Sequence, residues 1–284
     1  MQLKISKVLG TLKFNFLLIY RNVFAREQFY RFNQLLFEAS IKGMGILNYE
    51  NSNVSGEDHL ITVTLKNAVQ KNNPVFFDVG ANVGGYSEAL KNSFPAAIIY
   101  AFEPHPKNFE ALRLKALEHV IINNSAVGEK PGELTLYDRA DFDGSSHASL
   151  YSEVITDLHH QETTESQVAV ITLDEFCEEH HITEIDYLKI DTEGNEFSVL
   201  KGATRLLVEN RIRYIHLEFN EMNVASGVHF RDIRKLLSNY DLYRLLPKGM
   251  VKVSESPLFS ELYAFQNIVA IPLDQEQQGA NTSE

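Results

Sequence analysis

Four acidic residues stand where short β-rich runs end: Asp78 in VFFDV, Glu103 after AIIYAF, Asp191 after DYLKI and Glu218 within RYIHLEF. Two further polar groups accompany them, Glu193 just beyond Asp191 and His147 in a serine-rich stretch. After Asp78 the chain passes through Gly80, Asn82, Gly84 and Gly85 before a helical pattern begins with Tyr86 and Ser87. A tight turn of this kind points backbone amides and a helix N-terminus at a ligand held over the carboxyl edge of a sheet. Glu103, at the end of the following strand, is placed to hydrogen-bond a ribose diol. A dinucleotide fingerprint would require a bare second glycine so that the backbone can approach a pyrophosphate. Asn82 occupies that position. The turn therefore suits a ligand that has an ammonium, a carboxylate and a ribose but no diphosphate, with Asp78 and the turn carbonyls receiving the ammonium. S-adenosylmethionine has those groups. The plain alternative is a strand-to-helix junction that binds nothing.

Asp191 and Glu193 follow a buried strand, so two carboxylates face the same cleft. Acidic groups there could equally cap the next helix, whose N-terminus favours negative charge. The histidine pairs His159–His160 and His180–His181 do not make a metal site, because adjacent side chains diverge and no third and fourth ligands follow at metal spacing. Arg139 and Leu150 occupy ligand positions of what would otherwise be a calcium loop. No metal is expected.

The elements that must position these groups are legible as a pattern. VFFDV, AIIYAF, VIINN, DYLKID and RYIHLEF read as buried parallel strands, short and mostly without polar alternation. Between them HPKNFEALRLKALEH places Phe109, Leu112 and Ala116 on one helical face, with Pro106 at the first helical position. Strand followed by helix, repeated, predicts a parallel sheet covered on both faces. GELTLYD reads as an added strand, Arg139–Gln167 as a long polar loop, QNIVAI as a late strand, and residues 274–284 as a disordered tail. Phe29, Phe32, Leu36 and Ala39 recur at helical spacing up to Gly43 and Gly45, so residues 1–50 form an N-terminal amphipathic helical extension ahead of a main domain over 51–273.

The 284 residues carry a net charge of −12, which argues against a nucleic-acid surface. The exception is the basic start of the chain, with Lys4, Lys7, Lys13, Arg21, Arg26, Arg31 and Lys42 against Glu27 and Glu38. Those helices either cap the core or rest on a membrane or partner. The apolar run Phe14–Tyr20 is too short to span a bilayer, and no small-residue cleavage site follows it. Cys177 is the only cysteine, so the expected compartment is the reducing cytoplasm, with the protein soluble there or peripheral to the membrane. The Asn-x-Ser patterns at Asn53, Asn123 and Asn281 then carry no glycosylation.

Taken together, FDVGANVGGYS, AFEPHPKNFEAL, NSAVGEKPGELTLY, TLDEFCEEHHITEIDYLKIDTEGNEFSVLKGA and YIHLEFN resemble the FkbM-type family of S-adenosylmethionine-dependent methyltransferases. The likeness runs from about residue 74 to 220, five motifs in order. It implies a class I methyltransferase (Rossmann-like) α/β fold, seven strands with the last antiparallel, and methyl transfer to a hydroxyl of a sugar, glycan or polyketide. Carried over by position, Asp78, Gly80, Asn82, Gly84, Tyr86 and Ser87 match the cofactor turn and helix, Glu103 the ribose acid, and Ser125 and Ala126 the adenine side. Asp191, Glu193 and Gly194 match the Asp-x-Glu-Gly beside the transferring methyl. An alcohol needs a base to remove its proton as the bond forms; Glu193 is the first candidate, Glu218 the second and His147 the third. Two other classes stay open at this point, a nicotinamide-dependent oxidoreductase or sugar epimerase and a catalytically silent scaffold, and a homo-oligomer stays open as well.

Overall fold

The computed structural model describes residues 2–139 and 163–273, in two compact units that divide at Ile46. His147, most of the expected polar loop and the 274–284 tail lie outside the described residues. The first unit holds two helices, α1 (Gln2–Phe24) and α2 (Tyr30–Gly43). Asn33 joins them, its amide donating to the Phe24 carbonyl at 2.9 Å while its oxygen accepts from the Tyr20 hydroxyl. Phe24 also meets Phe29 edge-on at 5.1 Å and packs beside Phe32 at 5.7 Å. The expected helix stop is found, with Gly45 turning the chain at φ +82.

From Leu47 onward the second unit is an α/β structure. Its strands are β1 (Val75–Val79), β2 (Ile98–Phe102), β3 (Val120–Asn123), β4 (Ala126–Val127), β5 (Gly132–Arg139), β6 (Thr163–Ile171), β7 (Tyr187–Ile190), β8 (Ile215–Phe219), β9 (Tyr240–Leu246), β10 (Gly249–Lys252) and β11 (Gln266–Pro272). The main sheet has the order β10-β9-β11-β8-β7-β1-β2-β3. Pairs from β3 through β8 are parallel, and β11 runs antiparallel to both β8 and β9, between which it lies. The last strand is thus antiparallel as expected, but the sheet has eight strands rather than seven, because β10 folds back on β9 as an added edge. A separate sheet, β4-β6-β5, stands apart from it. Residues Thr163–Gln167, expected as loop, are strand: they pair antiparallel with Thr135–Arg139, so their polar residues belong to a two-stranded ribbon. The helix at Pro106 ends at Leu114, short of Ala116, where φ turns to +47 before β3.

The buried strands read as unbroken apolar runs because both faces of the sheet are covered. In β1, Phe76 packs with Leu60, Leu65 and Leu90 on one side, and Phe77 with Phe102, Phe176 and Leu188 on the other. The first side is covered by the helical segment 57–68 and the helix Gly85–Ser93. The same side carries the even positions of β1 and β8 and the odd positions of β7, which places Asp78, Lys189, His216 and Glu218 together on one face.

Candidate cofactor cleft and the carboxylate-lysine cluster beside it

The turn after β1 is closed from above and below. Backbone amides of Gly80 and Ala81 both reach the Phe102 carbonyl at 3.0 Å, which ties the turn to the end of β2. Gly80 sits at φ +85, and a β-carbon there would lie 1.7 Å from the Asp191 carbonyl oxygen. Only glycine fits between these strands. Gly84, at φ +80, starts the helix Gly85–Ser93 and leaves no room for a β-carbon, which would fall 2.2 Å from Leu112 Cδ1. Asn82 takes a left-handed φ of +48, and its side-chain oxygen accepts from the Val83 amide at 2.6 Å, a local bond that makes this conformation accessible to asparagine. Its own amide donates to Glu103 Oε2 at 2.7 Å.

Glu103 takes a second backbone amide, from His105, on Oε1 at 2.8 Å. Each oxygen keeps a further lone pair for a ligand hydroxyl. Burial pushes this carboxyl up to about 7, opposed by the two amide bonds. Gly80, Asn82 and Glu103 line a cleft at this edge of the sheet. Ser125, Ala126 and Leu136 supply one wall, and Asp191, Thr192 and Glu193 another. The small sheet, unremarked in its function from sequence, is what carries Ala126 and Leu136 to the cleft.

Asp78 sits elsewhere than the ammonium-binding role suggests. Its carboxylate is buried under the turn, accepts the Ser87 hydroxyl at 2.6 Å, and is pushed up to about 6 by burial. Asp78 and Ser87 therefore pin the first helical turn, and neither lines the cleft. Gly84 and Tyr86 are also off its walls: the Tyr86 hydroxyl joins that of Tyr187 and His216 Nδ1, the latter at 3.2 Å. His216 is wholly buried, bonded through Nε2 to Asn267 Oδ1 at 2.9 Å, and burial, aided by Lys189, keeps it far below the ordinary imidazole range.

The turn Asp191–Asn195 is built by a residue the sequence reading passed over. Glu196 is buried and accepts from the Thr192 amide at 2.9 Å, the Thr192 hydroxyl at 3.1 Å and the Gly194 amide at 3.2 Å. Glu193, at φ +52, is held on the cleft wall by this turn. Beside it lies Lys189, also unread from sequence, 2% exposed, with Asp191 Oδ2 and Glu218 Oε1 each 3.4 Å from its ammonium and Glu57 Oε1 at 3.8 Å. The Tyr86 ring lies 5.4 Å beneath it. Burial opposes the lysine's charge, yet the three carboxylates outweigh that and hold it well above the ordinary value. Burial and the Asp191 carboxylate push Glu218 well up, against the pull of Lys189. The cluster joins the cleft through Asp191 alone among its carboxylates. The signal in the sequence was a lysine inside an apolar strand, in DYLKI.

A sheet of this strand order, with one antiparallel strand inserted and a cleft over the first β-turn, defines a class I methyltransferase. Among solved structures the plantazolicin methyltransferase BpumL, in complex with SAH, superposes with a TM-score of 0.43 at 9% identity, over 80% of this chain and 88% of that one. The model of the methyltransferase FkbM domain matches residues 78–244, and the chain belongs to that family. The chain is 25% identical to 2-O-methyltransferase NoeI of Sinorhizobium fredii, over 64% of this chain and 78% of that protein. It is 27% identical to hexuronic acid methyltransferase AglP of Haloferax volcanii, over 66% and 70%. It is 30% identical to 31-O-demethyl-FK506 methyltransferase FkbM of Streptomyces tacrolimicus, over 54% and 68%. The protein is an S-adenosylmethionine-dependent methyltransferase, and the oxidoreductase, epimerase and silent-scaffold readings are set aside. The residues fit that donor: a glycine turn with no room for bulk, and beside it on the same cleft a carboxylate with lone pairs to spare for a ribose.

Proposed function

We propose that this chain methylates a hydroxyl oxygen on a sugar, glycan or polyketide-like small molecule. The carrying observation is that Asp191 and Glu193 stand on the same cleft as Gly80 and Glu103, so a proton acceptor borders the donor's binding site. Two of the relatives, the 2-O-methyltransferase and the 31-O-demethyl-FK506 methyltransferase, act at oxygen and support oxygen as the acceptor atom, and the hexuronic acid methyltransferase supports a sugar as the acceptor class. When bound, the donor supplies a methyl group on a sulfonium, open to in-line attack. Glu103 would hold the ribose, Ser125 and Ala126 the adenine side, and the Gly80–Asn82 backbone the amino-acid end. Near-attack placement then contributes much of the rate.

Glu193 is our candidate base, since it lines the cleft; Glu218, joined to Asp191 through Lys189, is the second. The Lys189 ammonium stands 3.4 Å from Asp191 Oδ2, where that carboxylate borders the cleft. The test is incubation with methyl-labelled donor and a panel of hydroxylated sugars, glycans and polyketides, followed by identification of the labelled atom. Label on oxygen, lost in Glu193→Gln with donor affinity intact, supports the reading. Label on nitrogen or carbon would overturn the acceptor assignment, and full turnover in Glu193→Gln would leave Glu218 or His147 as the base.

A further inference from the structure

The first unit bears side chains that water should not surround. In α1 every residue from Gly10 to Ile19 is exposed, and the run includes Phe14 (66% exposed), Phe16 (63%), Leu17 (52%) and Ile19 (63%). On α2 Tyr30, Leu35 and Phe37 are each more than 60% exposed. Contiguous apolar surface on this scale marks an interaction site. Interleaved with it are Lys13, Arg21, Arg26 and Arg31, all exposed. Residues 1–46 contain seven Lys and Arg against two Glu, a net +5 in a chain of −12, so the remainder is −17.

We propose that α1 and α2 form a docking module for an anionic lipid surface. Charge selects this occupant. Two copies of the unit meeting face to face would bring +5 against +5, whereas anionic headgroups complement it and attract juxtaposed Lys and Arg. The apolar content selects lipid over a polyanion in solution, because aromatic and aliphatic side chains beside basic ones suit the boundary between headgroups and acyl chains. No described helix is long and apolar enough to cross a membrane, so α1, about 34 Å long, lies in the surface instead of spanning it. The acidic remainder is repelled by the same headgroups, which restricts contact to the basic unit.

The full chain is mixed with vesicles of phosphatidylcholine alone or of phosphatidylcholine with phosphatidylglycerol, and the bound fraction is read by flotation. Binding is expected on the anionic vesicles only, weakened about tenfold when salt is raised from physiological to molar strength, as screening requires. Phe16→Glu with Ile19→Glu should abolish it, and Lys13→Glu with Arg21→Glu should remove the preference for anionic lipid. Unchanged donor affinity and helical circular dichroism verify that these variants fold, and keep this test separate from the acceptor assignment. Absent binding to anionic vesicles, equal binding to neutral ones, or a dimer in light scattering that Phe16→Glu/Ile19→Glu dissociates without any vesicle binding would each overturn the proposal.

Discussion

Glu103 shows how one buried carboxyl sets the conditions for donor binding. With its carboxyl raised to about 7, a share of the protein is protonated there near neutrality. A ribose diol donates more strongly to the carboxylate than to the acid, so donor affinity should rise with pH through about 7 and binding should release a proton. Isothermal titration in buffers of different ionisation enthalpy measures that release directly. Glu103→Gln should cost about 10- to 100-fold in affinity, the worth of a hydrogen bond to a charged group, and should erase the pH step near neutrality. An unchanged dissociation constant would mean the ribose lies elsewhere. Lys189 is the second residue with a sharp expectation. Replacing it by Met leaves Asp191, Glu218 and Glu57 facing one another without a cation, and should destabilise the fold by about 3 kcal/mol or more in urea titrations. Adding Glu218→Gln to that variant should recover part of the loss.

At the scale of elements, neighbouring glycines make opposite predictions. Gly84→Ala must fit a β-carbon into Leu112 at a left-handed φ, so it should lower the melting temperature and weaken donor binding. Gly85→Ala meets nothing within 4 Å and lies in ordinary helical space, so it should be neutral or stabilise by about 0.4–1 kcal/mol. Differential scanning calorimetry on the pair separates turn geometry from helix propensity. The sequence makes the five parallel strands, β5 and β11 legible because each is a compact apolar or alternating run bounded by turn residues. It hides β6, whose first half, Thr163–Gln167, is polar and becomes a strand only by pairing with β5. It hides β9 and β10 as well: only tertiary pairing against β11 distinguishes Tyr240–Leu246 from a short helix. On the cleft, Gly80, Asn82, Glu103, Asp191 and Glu193 were readable from their positions at the strand ends. Asp78 could be read as part of the turn but not as the anchor of Ser87, because which way a strand-end carboxylate faces depends on the helix packed over it.

Across the whole molecule, several carboxyls are buried with raised proton affinity, among them Asp78 at about 6 and Glu103 at about 7, with Glu196 and Glu218 shifted the same way. Between the unfolded values near 4 and these folded values the native state binds more protons than the unfolded chain, so stability falls as pH rises through that window. The melting temperature without ligand should decline from about pH 5 to pH 8, and the stabilisation from added S-adenosylmethionine should grow over the same range. A flat profile would mean these carboxyls are better solvated than their burial indicates. One further trait of the sheet bears on how the protein is made. β11 occupies a slot between β8 and β9, so the seam of the sheet stays open until residues 266–272 have been synthesised. A nascent chain can assemble the donor-binding half early, yet the β9–β10 flap has nothing to clasp until the ribosome has delivered this late insert. A nonsense codon between β10 and β11 would thus release a molecule with two raw edges, those of β8 and β9, a substrate for proteases and chaperones in place of an enzyme.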